Sequence, residues 1–198
     1  MRSPWERALG VDAARLHPSL ATYFRAIPAG HVGRGSGVFE TVGTPRHLLW
    51  PVLALLSVEG IVFPVWARHV PFTVINRPTL RGTVRAHRIF HFPDGDRTMI
   101  DEVGITESGL VDRLGRRGTL ESALTATVVD GRLELRSTSV TIRAGRARIP
   151  LGPFSPRVKL VERNDGDRQH VSLVLDAPLI GRLYEYSGSF DYRIEKDD

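Results

Sequence analysis

The chain has 198 residues, a formal charge of +5 and no cysteine, which excludes disulfides, thiolate catalysis and cysteine-ligated zinc. It shows no low-complexity segment, internal repeat or Ser/Pro-rich linker, so we expect a single domain over residues 1–198. The positive charge comes almost entirely from arginines spread along the chain without interleaved aromatics, so nucleic acid is not an expected partner.

No membrane-crossing segment is expected. The first residues contain no apolar run, which argues against a signal peptide. The uninterrupted apolar stretch 48–58 is shorter than the roughly 20 residues that span a bilayer. These observations predict a soluble, cytoplasmic protein.

The first predicted element is a helix that begins near Asp12. Leu16, Leu20, Tyr23 and Phe24 recur at helical spacing after it. We therefore expect an N-terminal helix.

Three glycines alternate along the strand predicted next. Gly33, Gly35 and Gly37 lead into an apolar segment that ends at Val42. Glycines at every second position of a strand indicate a sharp bend or the close approach of another backbone.

A second helix is predicted over residues 45–59, with Thr44 as its N-cap and Pro45 at its first position. This helix is apolar nearly all round, so most of its surface must be covered. We expect it to form the core that the sheet wraps around, with association at a membrane surface as the alternative.

From Val70 onward the chain predicts strands joined by hairpins. Asp-Gly pairs at 94–95, 130–131 and 165–166 each indicate a two-residue turn. The resulting registers place apolar residues opposite each other: Phe90 with Met99, Val128 with Leu133, Ala126 with Leu135, Leu160 with Val171, and Val158 with Leu173.

The last strand, 182–194, alternates between an aromatic and a polar face. Eight or more strands joined mostly by hairpins have to curl or close. The expected fold is therefore α+β and mainly β. It is a strongly curved antiparallel sheet or open barrel of about 8–10 strands, wrapped around the apolar helix, with an N-terminal helix.

Arg88 is the most informative polar residue, because it lies on an otherwise apolar face of its strand. The register above places Asp101 opposite it and, on the other face, Glu102 opposite His87. A buried arginine needs an acidic partner. Arg88 therefore either forms an internal ion pair or holds the acidic head of an apolar ligand. The candidate ligand-binding residues are Arg88, Phe90, Met99, Asp101, Tyr184 and Tyr186.

No pattern indicates a metal site, a cofactor or a catalytic nucleophile. The histidines are scattered, and no Gly-x-Ser-x-Gly or phosphate-binding glycine motif occurs. We expect neither metal nor cofactor, and no catalytic residue is assigned.

Short segments along the chain follow one another in a specific order: Leu16-His17-Pro18-Ser19-Leu20, Gly35-Ser36-Gly37, Val70-Pro71-Phe72, Arg88-Ile89-Phe90, Gly109-Leu110-Val111-Asp112-Arg113-Leu114-Gly115, Ile149-Pro150-Leu151-Gly152, Pro178-Leu179-Ile180-Gly181 and Tyr186-Ser187-Gly188-Ser189-Phe190. In this order they resemble a bacterial family of domains of unknown function numbered 4166, from Leu16 to Phe190. The resemblance implies a module often fused to a saccharopine-dehydrogenase-like Rossmann domain, without established catalytic residues. The family's recurrent Arg-x-Phe corresponds to Arg88 and Phe90.

Three functional hypotheses follow. The leading one is a noncatalytic binding module that holds a small apolar or amphipathic ligand in the concave face of the sheet. The second is a partner module that docks on a separate Rossmann-type oxidoreductase. The third is an enzyme that uses His87 with Glu102 or Asp101 as acid and base. The sequence gives no indication of oligomeric state.

Overall fold

The computed structural model describes residues 2–145 and 147–197, and most of these residues form a closed barrel of ten antiparallel strands. The strands are β1 (His31–Gly43), β2 (Trp66–Pro78), β3 (Val84–Phe92), β4 (Gly95–Thr106), β5 (Gly109–Leu114), β6 (Leu120–Val129), β7 (Arg132–Ala144), β8 (Ala147–Pro150), β9 (Arg157–Asp165), β10 (Arg168–Ala177) and β11 (Gly181–Lys196). The barrel order is β1-β2-β3-β4-β5-β6-β7-β9-β10-β11, and β11 closes on β1. The short strand β8 pairs with β7 outside this ring.

Two short helices, α1 (Pro4–Leu9) and α2 (Pro18–Phe24), close one end of the barrel. The single helix predicted from Asp12 is wrong, because residues Gly10–Arg15 form a 3-10 helix. Helix α2 begins at Pro18, and the His17 side chain accepts a hydrogen bond from the Ser19 N–H. Proline is poorly tolerated in a helix interior but suits its first position, so Pro18 separates the two helices.

The apolar helix does not lie inside the barrel, which corrects the predicted architecture. Helix α3 (Trp50–Val58) begins later than expected, after a 3-10 turn, and only Leu53 of the helix is buried. The segment that follows it, 61–65, fills the second end of the barrel instead, with the Phe63 side chain 2% exposed. A helix that is apolar all round shows no preferred face in its sequence, so its pattern could not reveal which side would be covered. No described helix is both long and apolar enough to cross a membrane.

All three Asp-Gly hairpins form, but only one has the predicted register. The register at Asp130–Gly131 is confirmed, and both turn residues have positive φ, as a type I′ turn requires. The other two hairpins are shifted by two residues: Phe90 pairs with Arg97, and Leu160 pairs with Leu173. A shift of two keeps every side chain on its predicted face. The predicted aromatic face of β11 is also confirmed, because Tyr184, Tyr186 and Phe190 are buried.

The alternating glycines of β1 make room for neighbouring residues, as the sequence predicted. A Cβ on Gly33 would overlap the Tyr192 ring, and one on Gly37 would overlap the backbone oxygen of Ser189. Gly188 on β11 faces β1 with the same constraint against the backbone of Val38. The two strands therefore approach each other more closely than side chains would permit.

Gly37→Ala is expected to lower the free energy of unfolding by about 1–3 kcal/mol, because the overlapping atoms belong to backbone that cannot rotate away. Ser36→Ala is the matched control: its side chain is exposed on the opposite face, so its effect should stay within about 0.5 kcal/mol. Urea unfolding of the two variants measures the difference. Equal effects would mean that β1 and β11 can separate without cost.

Candidate functional site in the barrel lumen

One wall of the barrel interior is aromatic. Phe39 stacks on Phe72 with ring centroids 3.8 Å apart, and Phe90 lies 5.1 Å from Phe39 and 5.2 Å from Phe63. Tyr23 enters from helix α2 and packs against this wall. Stacked and tilted aromatic contacts of this kind stabilise a packed interior, so this side of the lumen is closely packed.

A belt of polar side chains crosses the lumen below the aromatic wall. Arg88 on β3 forms an ion pair with Asp101 on β4, as predicted, although Met99 rather than Asp101 lies directly opposite it. A diagonal neighbour two residues along remains within reach of a long side chain. The predicted pair therefore forms despite the shifted register.

Two further carboxyl groups face the same belt from other strands. Burial and the charge of Asp101 raise the pKa of Asp112 on β5 to about 8, although Arg88 opposes this shift. Burial raises the pKa of Glu162 on β9 to about 7, opposed by a hydrogen bond from Gln169 and by Arg88. Strands β3 and β9 lie on opposite sides of the ring. Arg88 still lowers the pKa of Glu162 by its charge, so the polar groups of the two walls act on each other across the lumen.

Several buried polar atoms of the lumen have no hydrogen-bond partner among the described residues. On inward positions these are Asn76 Oδ1, Asp112 Oδ1, Ser122 Oγ, Gln169 Oε1 and the Tyr184 hydroxyl oxygen. Buried polar groups are nearly always satisfied by protein, water or ligand. Five such atoms in one lumen leave hydrogen-bonding capacity that water or a ligand can take up.

The wall opposite the aromatic one is aliphatic and only partly covered. Its inward side chains remain partly exposed: Leu124, Ala126, Leu160, Leu173 and Leu175. Strands β7 and β9 pair only over residues 133–136 and 159–162. A cleft of about 440 Å³ lies where they separate and is lined in part by Val158, which shares the inward face of Leu160. Solvent therefore reaches this aliphatic wall.

The structure brings all six predicted ligand-binding residues to the inner face of the barrel. Phe90, Met99, Asp101, Tyr184 and Tyr186 are buried, and the Arg88 side chain is 18% exposed. Burial raises the pKa of Tyr184 and of Tyr186, so both stay protonated. The predicted positions therefore share one compartment.

The predicted pairing of His87 with Glu102 is wrong. His87 lies opposite Ile100, whereas Glu102 lies opposite Arg85, to which it is ion-paired at 3.2 Å. Glu102 also accepts a hydrogen bond from the Thr83 hydroxyl at 2.8 Å. The acid–base alternative therefore loses the register on which it rested. Among the described residues no group of three or more His, Asp or Glu side chains is arranged to hold a metal ion.

Sequence reasoning missed Asp112, Glu162 and Gln169. Glu162 follows Leu160 on the inward face of β9, and Asp112 lies between Leu110 and Leu114 on β5. Both are acidic residues on apolar faces, the same signal that identified Arg88. Applying that rule to every strand would have found them.

The comparisons with known proteins identify the family of the chain and give no further match. No curated protein and no solved structure matches the chain. The family model described as "Domain of unknown function (DUF4166)" matches residues 16–190, which include the whole polar belt of the lumen. The chain therefore belongs to the DUF4166 family.

Proposed function

We propose that the protein binds a small amphipathic molecule in the barrel lumen, without catalysing a reaction. The observation that carries the proposal is the group of buried polar atoms without partners beside a partly exposed aliphatic wall. Binding sites combine apolar walls with a few convergent polar groups, often with shifted pKa values. The lumen has each of these features.

The polar end of the ligand is expected to donate hydrogen bonds. The unpartnered amide oxygens of Asn76 and Gln169 can only accept, and the Asp112 carboxyl accepts wherever it carries no proton. Arg88 is already paired with Asp101. A hydroxyl or ammonium group therefore fits the belt better than the acidic head group that Arg88 alone suggested.

Docking on a separate oxidoreductase stays a prediction that no comparison tests. The proposal for the lumen does not depend on it, because every residue it uses lies inside this chain.

Fluorescent alkyl probes that differ only at one end are the direct test. A dansyl-labelled chain ending in an ammonium group is expected to bind at least about ten-fold more tightly than the same chain ending in a carboxylate, since hydrogen bonds involving a charged group contribute about 1.5–3 kcal/mol. Asp112→Asn should weaken the ammonium probe by about ten-fold and leave a methyl-ended probe unchanged. Fluorescence titration at about pH 9, above the Asp112 pKa of about 8, measures both, because the Asp112 carboxyl has then released its proton.

Glu107→Gln is the control variant. The Glu107 side chain is exposed in the β4–β5 loop, so this substitution should not change the affinity for any probe. Native mass spectrometry of the purified protein would show a co-purified molecule directly. The proposal fails if no probe binds, or if the ammonium-ended, carboxylate-ended and methyl-ended probes bind equally. Water alone would then satisfy the polar groups of the belt.

A further inference from the structure

Helix α3 presents an apolar face to solvent. Leu48, just before the helix, and Val52, Leu55 and Val58 are 95%, 57%, 74% and 68% exposed. They follow one another at helical spacing and form a stripe on the side away from Leu53. The helix has no charged residue, and the Ser57 hydroxyl donates to the Ala54 carbonyl within the helix. A surface helix normally carries polar residues on such a face.

A second apolar element lies at the same end of the barrel. The turn between β10 and β11 exposes Leu179 fully and Ile180 by half. Arg46, which precedes the helix, donates to the Ile180 carbonyl and holds the turn beside it. Leu179 has a φ of 67°, a conformation that glycine or asparagine adopts at lower cost. The fold itself therefore gives no reason for a leucine there.

Arginines flank the helix at both of its ends. Arg46 lies at the N-terminal end, and the Arg116 N–H donates to the Glu59 carbonyl at the C-terminal end. Neither side chain forms an ion pair with any described residue, whereas Arg117 lies 3.6 Å from Glu59. The exposed apolar stripe is thus bordered by positive charge that its own acidic residues do not neutralise.

We propose that this apolar end, formed by Leu48, Val52, Leu55, Val58, Leu179 and Ile180, binds the surface of an anionic lipid bilayer. An apolar face bordered by arginines inserts at the boundary between acyl chains and head groups, and the arginines are attracted to anionic lipids. A second copy of the chain fits this end less well. A two-fold contact would place the same face against itself and bring the unneutralised arginines of both copies together.

Vesicle flotation is the test. The protein is expected to bind vesicles that contain about 30% phosphatidylglycerol at least ten-fold more tightly than neutral phosphatidylcholine vesicles, and high salt should weaken that binding. Leu55→Asp should reduce it by at least ten-fold, because it places a charge in the apolar stripe. Arg46→Ser/Arg116→Ser should reduce it by about 25-fold, roughly five-fold for each arginine.

Leu80→Asp is the matched control and should leave vesicle binding unchanged, because Leu80 is a fully exposed leucine at the opposite end of the barrel. Unfolding midpoints of all variants verify that they fold. The proposal is overturned if the wild-type protein binds no anionic vesicle or if Leu80→Asp weakens binding as much as Leu55→Asp. A dimer that Leu55→Asp dissociates, without vesicle binding, would assign the face to a second copy. Asp112→Asn should not change vesicle binding. The proposal for the lumen and the proposal for the apolar end can therefore fail independently of each other.

Discussion

Arg88→Met is expected to lower the free energy of unfolding by about 3–5 kcal/mol, the largest single effect we predict. The substitution leaves Asp101, whose side chain is 4% exposed, as a buried charge without its partner. It also removes the positive charge that opposes the raised pKa of Asp112 and of Glu162. Urea unfolding at neutral pH measures the loss.

The double variant Arg88→Met/Asp101→Leu should regain most of that stability. Replacing both members of a buried ion pair by apolar residues is often neutral, whereas removing one is costly. Arg85→Met, on the outward face of the same strand, removes an arginine that is 47% exposed and paired with Glu102; it should cost less than about 1 kcal/mol. Should Arg88→Met and Arg85→Met prove equally mild, the internal pair contributes nothing to the fold.

The free energy of unfolding is expected to fall as pH rises from about 4.5 to 7. Glu162→Gln should remove roughly half of this slope, because Asp112, whose pKa burial raises to about 8, contributes the other half. Burial raises the pKa of Glu162 in the folded protein from 4.5 to about 7. In that interval the folded state keeps a proton that the unfolded state has released, so stability declines with pH. The shift corresponds to about 3 kcal/mol in total.

The buried setting of Glu162 makes its titration sensitive to several neighbours. Tyr23, Tyr186 and Arg88 face it across the lumen, and Gln169 donates to it. Glu134→Gln removes an outward-facing glutamate from the adjacent strand β7 and serves as the control that should leave the pH profile in place. Unfolding free energies measured from pH 4.5 to 8 would contradict the prediction if wild type and Glu162→Gln showed parallel profiles.

The lumen and the apolar end have opposite relations to solvent. The polar belt is enclosed by the barrel wall, so its charges interact strongly and shift each other's pKa values. The apolar end is exposed, so its side chains contribute nothing to the core. A molecule with an apolar tail and a hydrogen-bonding head would match the first surface, and a lipid bilayer would match the second.

Much of the fold could be predicted because it depends on local chemistry. The Asp-Gly turns and the alternation of apolar residues predicted hairpins, and β11 faces inward as its aromatic pattern indicated. The same alternation identified Arg88 as an internal residue. The apolar pattern could not fix the position of each turn, because a slip of two residues in register preserves every face. It therefore could not show that two of the turns lie at Pro93–Asp94 and Gly166–Asp167 instead of at the Asp-Gly pairs.

By itself, the sequence of this protein determined which side chains face inward, because a period of two is set by the backbone of each strand. Only the tertiary structure decided which inward residues meet. Arg88, Asp112 and Glu162 come from three separate strands, and their proximity depends on how the barrel closes. Closure also decided the place of helix α3: the interior was filled by aromatic side chains and by segment 61–65, so the most apolar helix remained outside.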